Sequence, residues 1–163
     1  MMNAIAAVSA DWGIGRDNDL LFHIREDMRR FRELTSGGTV IMGRKNLDSL
    51  PGGRPLPQRR NIVITRQPDF TRENIEVAHS IAEALRLTEG QEDIWVIGGG
   101  EIYAALLPYC KRCHITKIDA SLPFDTAFPN LNTLPNWRLL SPGVPKTEGG
   151  LTYRFTEYIN ESL

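Results

Sequence analysis

Short apolar runs alternate with stretches of helical spacing along most of the chain. Residues 3–9, NAIAAVS, are a continuous run of small and branched side chains, as a strand buried on both faces requires. Residues 39–43 (TVIMG), 61–65 (NIVIT), 75–78 (IEVA), 93–97 (DIWVI) and 114–119 (HITKID) read the same way. Between them the period changes. Leu20 to Thr35 predicts a helix with Ile24, Met28, Phe31 and Leu34 on one stripe and Arg25, Glu26, Arg29, Arg30, Arg32 and Glu33 opposite; Gly37-Gly38 would cap its end. RKNLDSL predicts a short helix ended by Pro51-Gly52-Gly53. Ser80, with Glu83 three residues on, makes a capping box for SIAEALRLT. EIYAALL follows Gly98-Gly99-Gly100 and is stopped by Pro108. The last segment differs: LTYRFTEY at 151–158 alternates apolar and polar, and PGVPKTEGG reads as a turn-rich link back to WRLLS at 137–141. Strand–helix alternation followed by a hairpin predicts an α/β fold, a mostly parallel sheet with an antiparallel C-terminal strand.

One position breaks the helical pattern. At 100° per residue, Asp27 falls between Ile24 and Phe31, inside the apolar stripe. A carboxylate there must be hydrogen-bonded, paired or partly protonated, because an isolated buried charge is very costly. The alternative is ordinary: Asp27 lies in the first helical turn, where the dipole favours acids. Spacing leaves both open. Before this helix, ADWGIGRDNDLLF reads as a loop well beyond the usual length of about 4–6 residues, the kind that often serves as a lid.

Bulk properties narrow the class. With 163 residues, 41% hydrophobic and 24% charged, the chain suits one soluble domain spanning 1–163. A net charge of −1 and a pI near 6.3 give no overall pull toward nucleic acid or anionic membrane. No apolar run approaches membrane-spanning length, and MMNAIAAVSA reads as a strand rather than a signal peptide. Cys110 and Cys113 cannot build a disulfide framework. These features predict a cytoplasmic protein.

Three strand ends carry anion-binding chemistry. Ile97 leads into Gly98-Gly99-Gly100 and a helix, where backbone can approach a ligand closely and free N–H groups face it. Gly43-Arg44-Lys45 puts two cations at another helix start, and Thr65-Arg66 adds a hydroxyl and a cation. Ligands of α/β sheets collect at the carboxyl ends of strands, so three such clusters suggest a ligand with several phosphates. The Rossmann fingerprint fails at its third glycine, where Tyr103 stands, although Asp119 lies at a suitable distance. Arg44, Lys45 and Arg66 favour a 2′-phosphate, hence NADPH held outside a standard Rossmann turn. Cys110-Lys111-Arg112-Cys113 follows a helix and precedes a strand, the reverse of a redox C-x-x-C, and no zinc-ligand spacing joins it to His23, His79 or His114. No metal site is expected. G-x-S-x-G, P-loop and H-E-x-x-H motifs are absent, which leaves hydrolase and NTPase readings without support.

Taken in order, IAAVSADWGIG, the acid of EDMRRF, TVIMGRKN, GRPLPQRRNIVIT, VIGGGEIY and TKIDA…DTAFP resemble the bacterial dihydrofolate reductases over nearly the whole chain. The resemblance implies an eight-stranded sheet with four helices, a monomer, NADPH, and reduction of 7,8-dihydrofolate to tetrahydrofolate. It places Asp27 in the pterin pocket, accepting hydrogen bonds from N3 and the 2-amino group, with Thr116 as its supporting hydroxyl. Hydride would pass to pterin C6, with a water delivering the proton to N5. Ile5, Ala7, Met28, Phe31, Leu50, Leu56 and Ile97 resemble the walls around the pterin and benzoyl rings, and Arg59 the cation that pairs with the glutamate tail. Leu20 would cover the nicotinamide from the lid, with Phe22 and Tyr103 beside the reacting rings. For the cofactor the resemblance implies Ala7, Ile14, Gly15, Gly43, Arg44, Lys45, Asn46, Ser49, Thr65, Arg66, His79, Gly98, Gly99, Gly100, Glu101, Ile102, Tyr103 and Thr126, with a cis Gly98–Gly99 bond.

The chain departs from the family pattern in places. Leu21-Phe22 replaces Pro-Trp, removing an indole N–H from the neighbourhood of Asp27. Asn46 stands where threonine is common, Leu47 where an aromatic residue often lies, and Pro51-Gly52-Gly53 lengthens the rim of the folate cleft. Antifolate inhibitors are expected ligands, and these changes should weaken them more than turnover. Two alternatives compete. The pyrimidine reductase of riboflavin synthesis shares fold and cofactor, but its substrate gives Arg59 no glutamate tail to pair with. A non-catalytic NADPH-binding module would leave Asp27 without a role.

Overall fold

The apolar runs become strands because each carries apolar groups on both faces and must be covered on both. A computed structural model of the chain describes residues 1–163. In chain order its strands are β1 (Met2–Val8), β2 (Gly13–Arg16), β3 (Asp19–Leu20), β4 (Thr39–Gly43), β5 (Arg60–Ile64), β6 (Glu76–Ala78), β7 (Ile94–Gly98), β8 (Arg112–Ile118), β9 (Thr126–Ala127), β10 (Trp137–Ser141), β11 (Lys146–Glu148) and β12 (Leu151–Asn160). Its α-helices are α1 (Arg25–Thr35), α2 (Arg44–Ser49), α3 (Ile81–Leu87) and α4 (Gly100–Leu106). Eight strands follow the order β10-β12-β8-β1-β7-β4-β5-β6, and β11 joins the edge of β12. From β8 to β6 every pairing is parallel, whereas β12 runs antiparallel to β8, β10 and β11.

The strand period of two sorts side chains onto two layers. On β4, Val40 and Met42 join a cluster with Ile5, Trp95 and Ile97, against which Phe31 and Leu34 of α1 pack. Ile41, between them, faces the other way into the larger cluster with Ala84 of α3 and Tyr103 and Leu106 of α4. The sheet thus has α1 on one face and α3 and α4 on the other.

Four local expectations are corrected. The helix predicted from Leu20 starts only at Arg25, because Asp19–Leu20 pair with Gly15 and Arg16 as a hairpin. The loop reading of residues 10–22 gives way with it: Asp17 (φ 51°) and Asn18 (φ 61°) form the two-residue turn, which needs positive φ at both central positions. The other edge of β2 pairs with β9, closing a second, three-stranded sheet. The link PGVPKTEGG contains β11, turned back onto β12 by Gly149 (φ 57°) and Gly150 (φ 78°). Pro108 does not stop the fourth helix outright. A 3-10 turn, Leu107–Tyr109, continues it and tolerates a proline early, where an N–H is not needed.

Candidate active site

Asp27 is the third residue of α1, so it lies in the first turn, and it is also half-buried, reaching the sheet at Thr116. Both sequence readings hold together. Thr116 Oγ donates to Asp27 Oδ1 at 2.5 Å. Thr116 lies on β8 opposite Ala7 of β1 and Phe155 of β12, so the central sheet presents this hydroxyl to the helix. Burial pushes the Asp27 carboxyl above the ordinary carboxylate range. The Thr116 hydrogen bond and the charge of Arg30 partly offset that rise. Arg30 is one turn further along α1, and its guanidinium stacks 4.4 Å from the Phe155 ring.

The apolar residues that the resemblance assigns to the ring walls fall into two groups. Ile5, Phe31, Leu50, Leu56 and Ile97 share one cluster, while Ala7 and Phe22 pack with Ile24, Ile118 and Tyr153. Met28 corrects the predicted stripe: it is 52% exposed, whereas Ile24 is buried. Leu20, on β3, is 53% exposed. Both are large apolar side chains left open to solvent. Toward the far end of α1, Arg59 donates from Nη1 to Thr35 Oγ at 3.0 Å and from Nε to the Pro57 carbonyl at 2.9 Å. Burial and the like charge of Arg32 both lower its pKa.

The three predicted anion-binding strand ends lie side by side, because β7, β4 and β5 are neighbours in the parallel sheet. Gly43 and Gly99 are the N-cap residues of α2 and α4, and neither first turn receives a side-chain cap. The Gly98–Gly99 peptide is cis, and Gly98 has φ +132°. A Cβ at Gly98 would meet Asn46 Oδ1 at 3.2 Å, and one at Gly43 would meet Ile102 Cγ1 at 3.1 Å, so the two helix starts interlock through glycines. Arg44 lies 4.6 Å over the Phe70 ring and bonds to Gln67, while Lys45 and Arg66 are exposed. Thr65 is buried, and its carbonyl accepts from His79 Nδ1 at 3.1 Å. Ser49 Oγ donates to the Asn46 carbonyl at 2.7 Å, closing α2. Glu101 is exposed in the first turn of α4.

Two further elements hold these ends in place. The buried Tyr103 hydroxyl lies 2.6 Å from the Ile5 carbonyl and 2.8 Å from the Ile97 carbonyl, bridging β1 and β7. Burial raises its pKa, so it stays a neutral donor. The β2–β3 hairpin is docked as well: Asp125 accepts from the Asp17 N–H at 2.9 Å and donates its own N–H to the Gly15 carbonyl at 3.0 Å. Thr126 pairs with Gly15 and leans on Gly100, which brings Ile14 and Gly15 toward the glycine triplet. Cys110 and Cys113 are free and buried, the first with its thiol pushed up to about 12, so both are inert.

Sequence reasoning did not single out Arg30, Asp125 or Glu148. Arg30 had a usable signal, three residues from Asp27 on one helix. Asp125 and Glu148 reach their partners from more than a hundred residues away, and no local pattern marks them.

Comparison with known proteins agrees with this geometry. The family model described as dihydrofolate reductase matches residues 1–160. The chain is 42% identical to the dihydrofolate reductase of Mycobacterium tuberculosis over 162 residues, covering 97% of each. It is 39% identical to that of Bacillus subtilis over 160 residues, covering 97% of this chain and 94% of the relative. A solved dihydrofolate reductase from Enterococcus faecalis, complexed with NADP(H) and RAB-propyl, superposes with a TM-score of 0.89 at 30% identity, covering 98% of this chain and 96% of that one. The carboxylate–threonine pair, the three adjacent glycine- and cation-bearing strand ends and these matches lead to one conclusion: the chain belongs to the dihydrofolate reductase family of NADPH-dependent oxidoreductases.

Proposed function

We propose that the protein reduces 7,8-dihydrofolate to 5,6,7,8-tetrahydrofolate, with NADPH supplying, when bound, the hydride that goes to pterin C6. The observation that carries the reading is the half-buried Asp27–Thr116 pair. Asp27 accepts from pterin N3 and the 2-amino group. A carboxylate in this low-dielectric site favours positive charge on the ring and so eases protonation at N5. Thr116 orients the carboxylate, and a water delivers the proton to N5. Ile5, Ala7, Phe22, Met28, Phe31, Leu50, Leu56 and Ile97 exclude bulk water from the rings, and Leu20 covers the reacting edge. Arg59 meets the α-carboxylate of the glutamate tail, for which its fork geometry is suited.

The residues at the strand ends fit the cofactor chemically. Uncapped N–H groups at Gly43 and Gly99, the cations Arg44, Lys45 and Arg66, and the Thr65 hydroxyl form a donor set for several phosphates, one on a ribose 2′ position. Asn46, Ser49, His79, Gly98, Gly100, Glu101, Ile102, Ala7, Ile14, Gly15 and Thr126 complete that wall, and Tyr103 holds it to β1. Antifolates compete at the pterin end. The reading includes a monomer acting in the cytoplasm without nucleic-acid or membrane partners; no helix is long and apolar enough to cross a membrane.

The deciding experiment follows NADPH oxidation with dihydrofolate across pH for the protein and Asp27→Asn. Turnover by the parent, with a variant much slower at neutral pH that recovers in acid as the pterin is pre-protonated, is expected. A parent that binds NADPH and leaves dihydrofolate unchanged would overturn the proposal.

A further inference from the structure

The helix that carries Asp27 does not cap itself. Its N-cap residue is Ile24, which has no side-chain acceptor for the free N–H groups of the first turn. The acceptor comes from the other end of the chain. Glu148 Oε2 accepts from the Arg25 N–H at 2.7 Å and Glu148 Oε1 from the Glu26 N–H at 3.3 Å. Lys146, two residues earlier on the same short strand, donates from Nζ to Glu26 Oε1 at 2.7 Å and lies 5.3 Å from the Phe155 ring. Residues two apart on a strand share a face, so β11 meets the helix start with an anion for its N–H groups and a cation for its acid. Asp27 is the next residue.

From this geometry we infer that β11 is a clamp on the substrate-binding turn, with Glu148 as a positioning residue for Asp27. The inference rests on the proposed dihydrofolate reading for its consequence, though not for its geometry. Without Glu148 the first turn of α1 has no side-chain cap and frays. A ligand that needs Asp27 beside Thr116 must then restore that turn as it binds, and its affinity falls by the cost of ordering. A lost cap is worth about three- to tenfold in such an equilibrium. NADPH, held at the ends of β7, β4 and β5, does not use this turn and should bind as before.

The test compares the full-length protein with Glu148→Ala and Glu148→Gln. The glutamine keeps a carbonyl oxygen that can accept, so it separates capping from charge. Amide hydrogen exchange at residues 25–27 and separate titrations with dihydrofolate and NADPH are measured. In Glu148→Ala, faster exchange in that turn and an about fivefold weaker dihydrofolate complex are expected, with NADPH affinity unchanged and substantial recovery in Glu148→Gln. Unchanged exchange, faster exchange without loss of dihydrofolate affinity, or equal losses for both ligands would overturn the clamp. A parent that fails to bind dihydrofolate would instead overturn the reductase reading, and the exchange result would still decide whether Glu148 holds the turn.

Discussion

Thr116 and Asp27 meet at 2.5 Å from elements that are 89 residues apart in sequence, hydroxyl to carboxylate, where burial would otherwise drive the acid toward its neutral form. The pair is held by register. Thr116 stands between Ala7 and Phe155 in the sheet, and the Phe155 ring carries the Arg30 guanidinium. Two favourable influences on the Asp27 anion therefore come from adjacent points of one surface.

Removing either should move the acid in the same direction. Thr116→Val deletes a donor to the anion, and Arg30→Gln deletes a positive charge one turn away; each should raise the Asp27 pKa further. Other groups near Arg30, namely Glu157 and His114, and those near the start of α1, namely Glu26, Glu148, Lys146 and Tyr153, remain in both variants. The pH profile of kcat/KM, which reports ionisations of the free enzyme, should shift upward in both. Thr116→Val should also raise KM about tenfold, the scale of one charge-assisted hydrogen bond. A profile that stays in place would refute the assignment.

Asp27 should be a cost to stability. Its folded-state pKa lies above its ordinary, unfolded value, so between the two the folded state binds more protons. Stability then falls as pH rises from the ordinary carboxyl pKa through the raised one, and the full deficit persists above it. Asp27→Asn abolishes the titration while keeping an oxygen to accept from Thr116. It should melt a few degrees higher than the parent at neutral pH, with the gain vanishing near pH 3, where both states are protonated in the parent. Thermal melts at the two pH values check this. A destabilised variant at neutral pH would contradict it.

Gly100→Ala tests the docking of the second sheet on the proposed cofactor wall. The added Cβ would lie 2.8 Å from Thr126 Cγ2 and 3.0 Å from the Ala127 carbonyl. The carbonyl belongs to β9, which can yield only by moving away from α4 and taking β2 with it. NADPH affinity should fall about tenfold or more, on the scale of overpacking at 1–3 kcal/mol, with a smaller effect on dihydrofolate. Fluorescence titration with each ligand separates the two.

The Leu21-Phe22 departure should show itself with inhibitors. Phe22 packs with Ala7 against the cluster of Ile24, Ile118 and Tyr153, and offers no N–H to a water. Phe22→Trp is expected to tighten antifolate binding while changing turnover less. Inhibition constants that do not move would dispose of the idea.

Local pattern determined much of this protein. Apolar runs read as strands, the Ser80–Glu83 capping box marked α3 with its Ser80 side chain accepting from the Glu83 N–H at 3.0 Å, and the misplaced acid drew attention to Asp27. These features depend on side-chain period and neighbouring residues, which a linear chain displays directly. Where two adjacent residues adopt positive φ, as at Asp17-Asn18 and Gly149-Gly150, the turn chemistry was visible but the pairing it enforced was not. Tertiary structure alone decided that β7, β4 and β5 lie side by side, so that three separate clusters form one wall. It also brought Thr116 under Asp27 and set Glu148 on the start of α1 across 123 residues. The reason is physical: periodicity says which face of a segment is buried, while strand order and register say what it is buried against, and those emerge only when the sheet assembles.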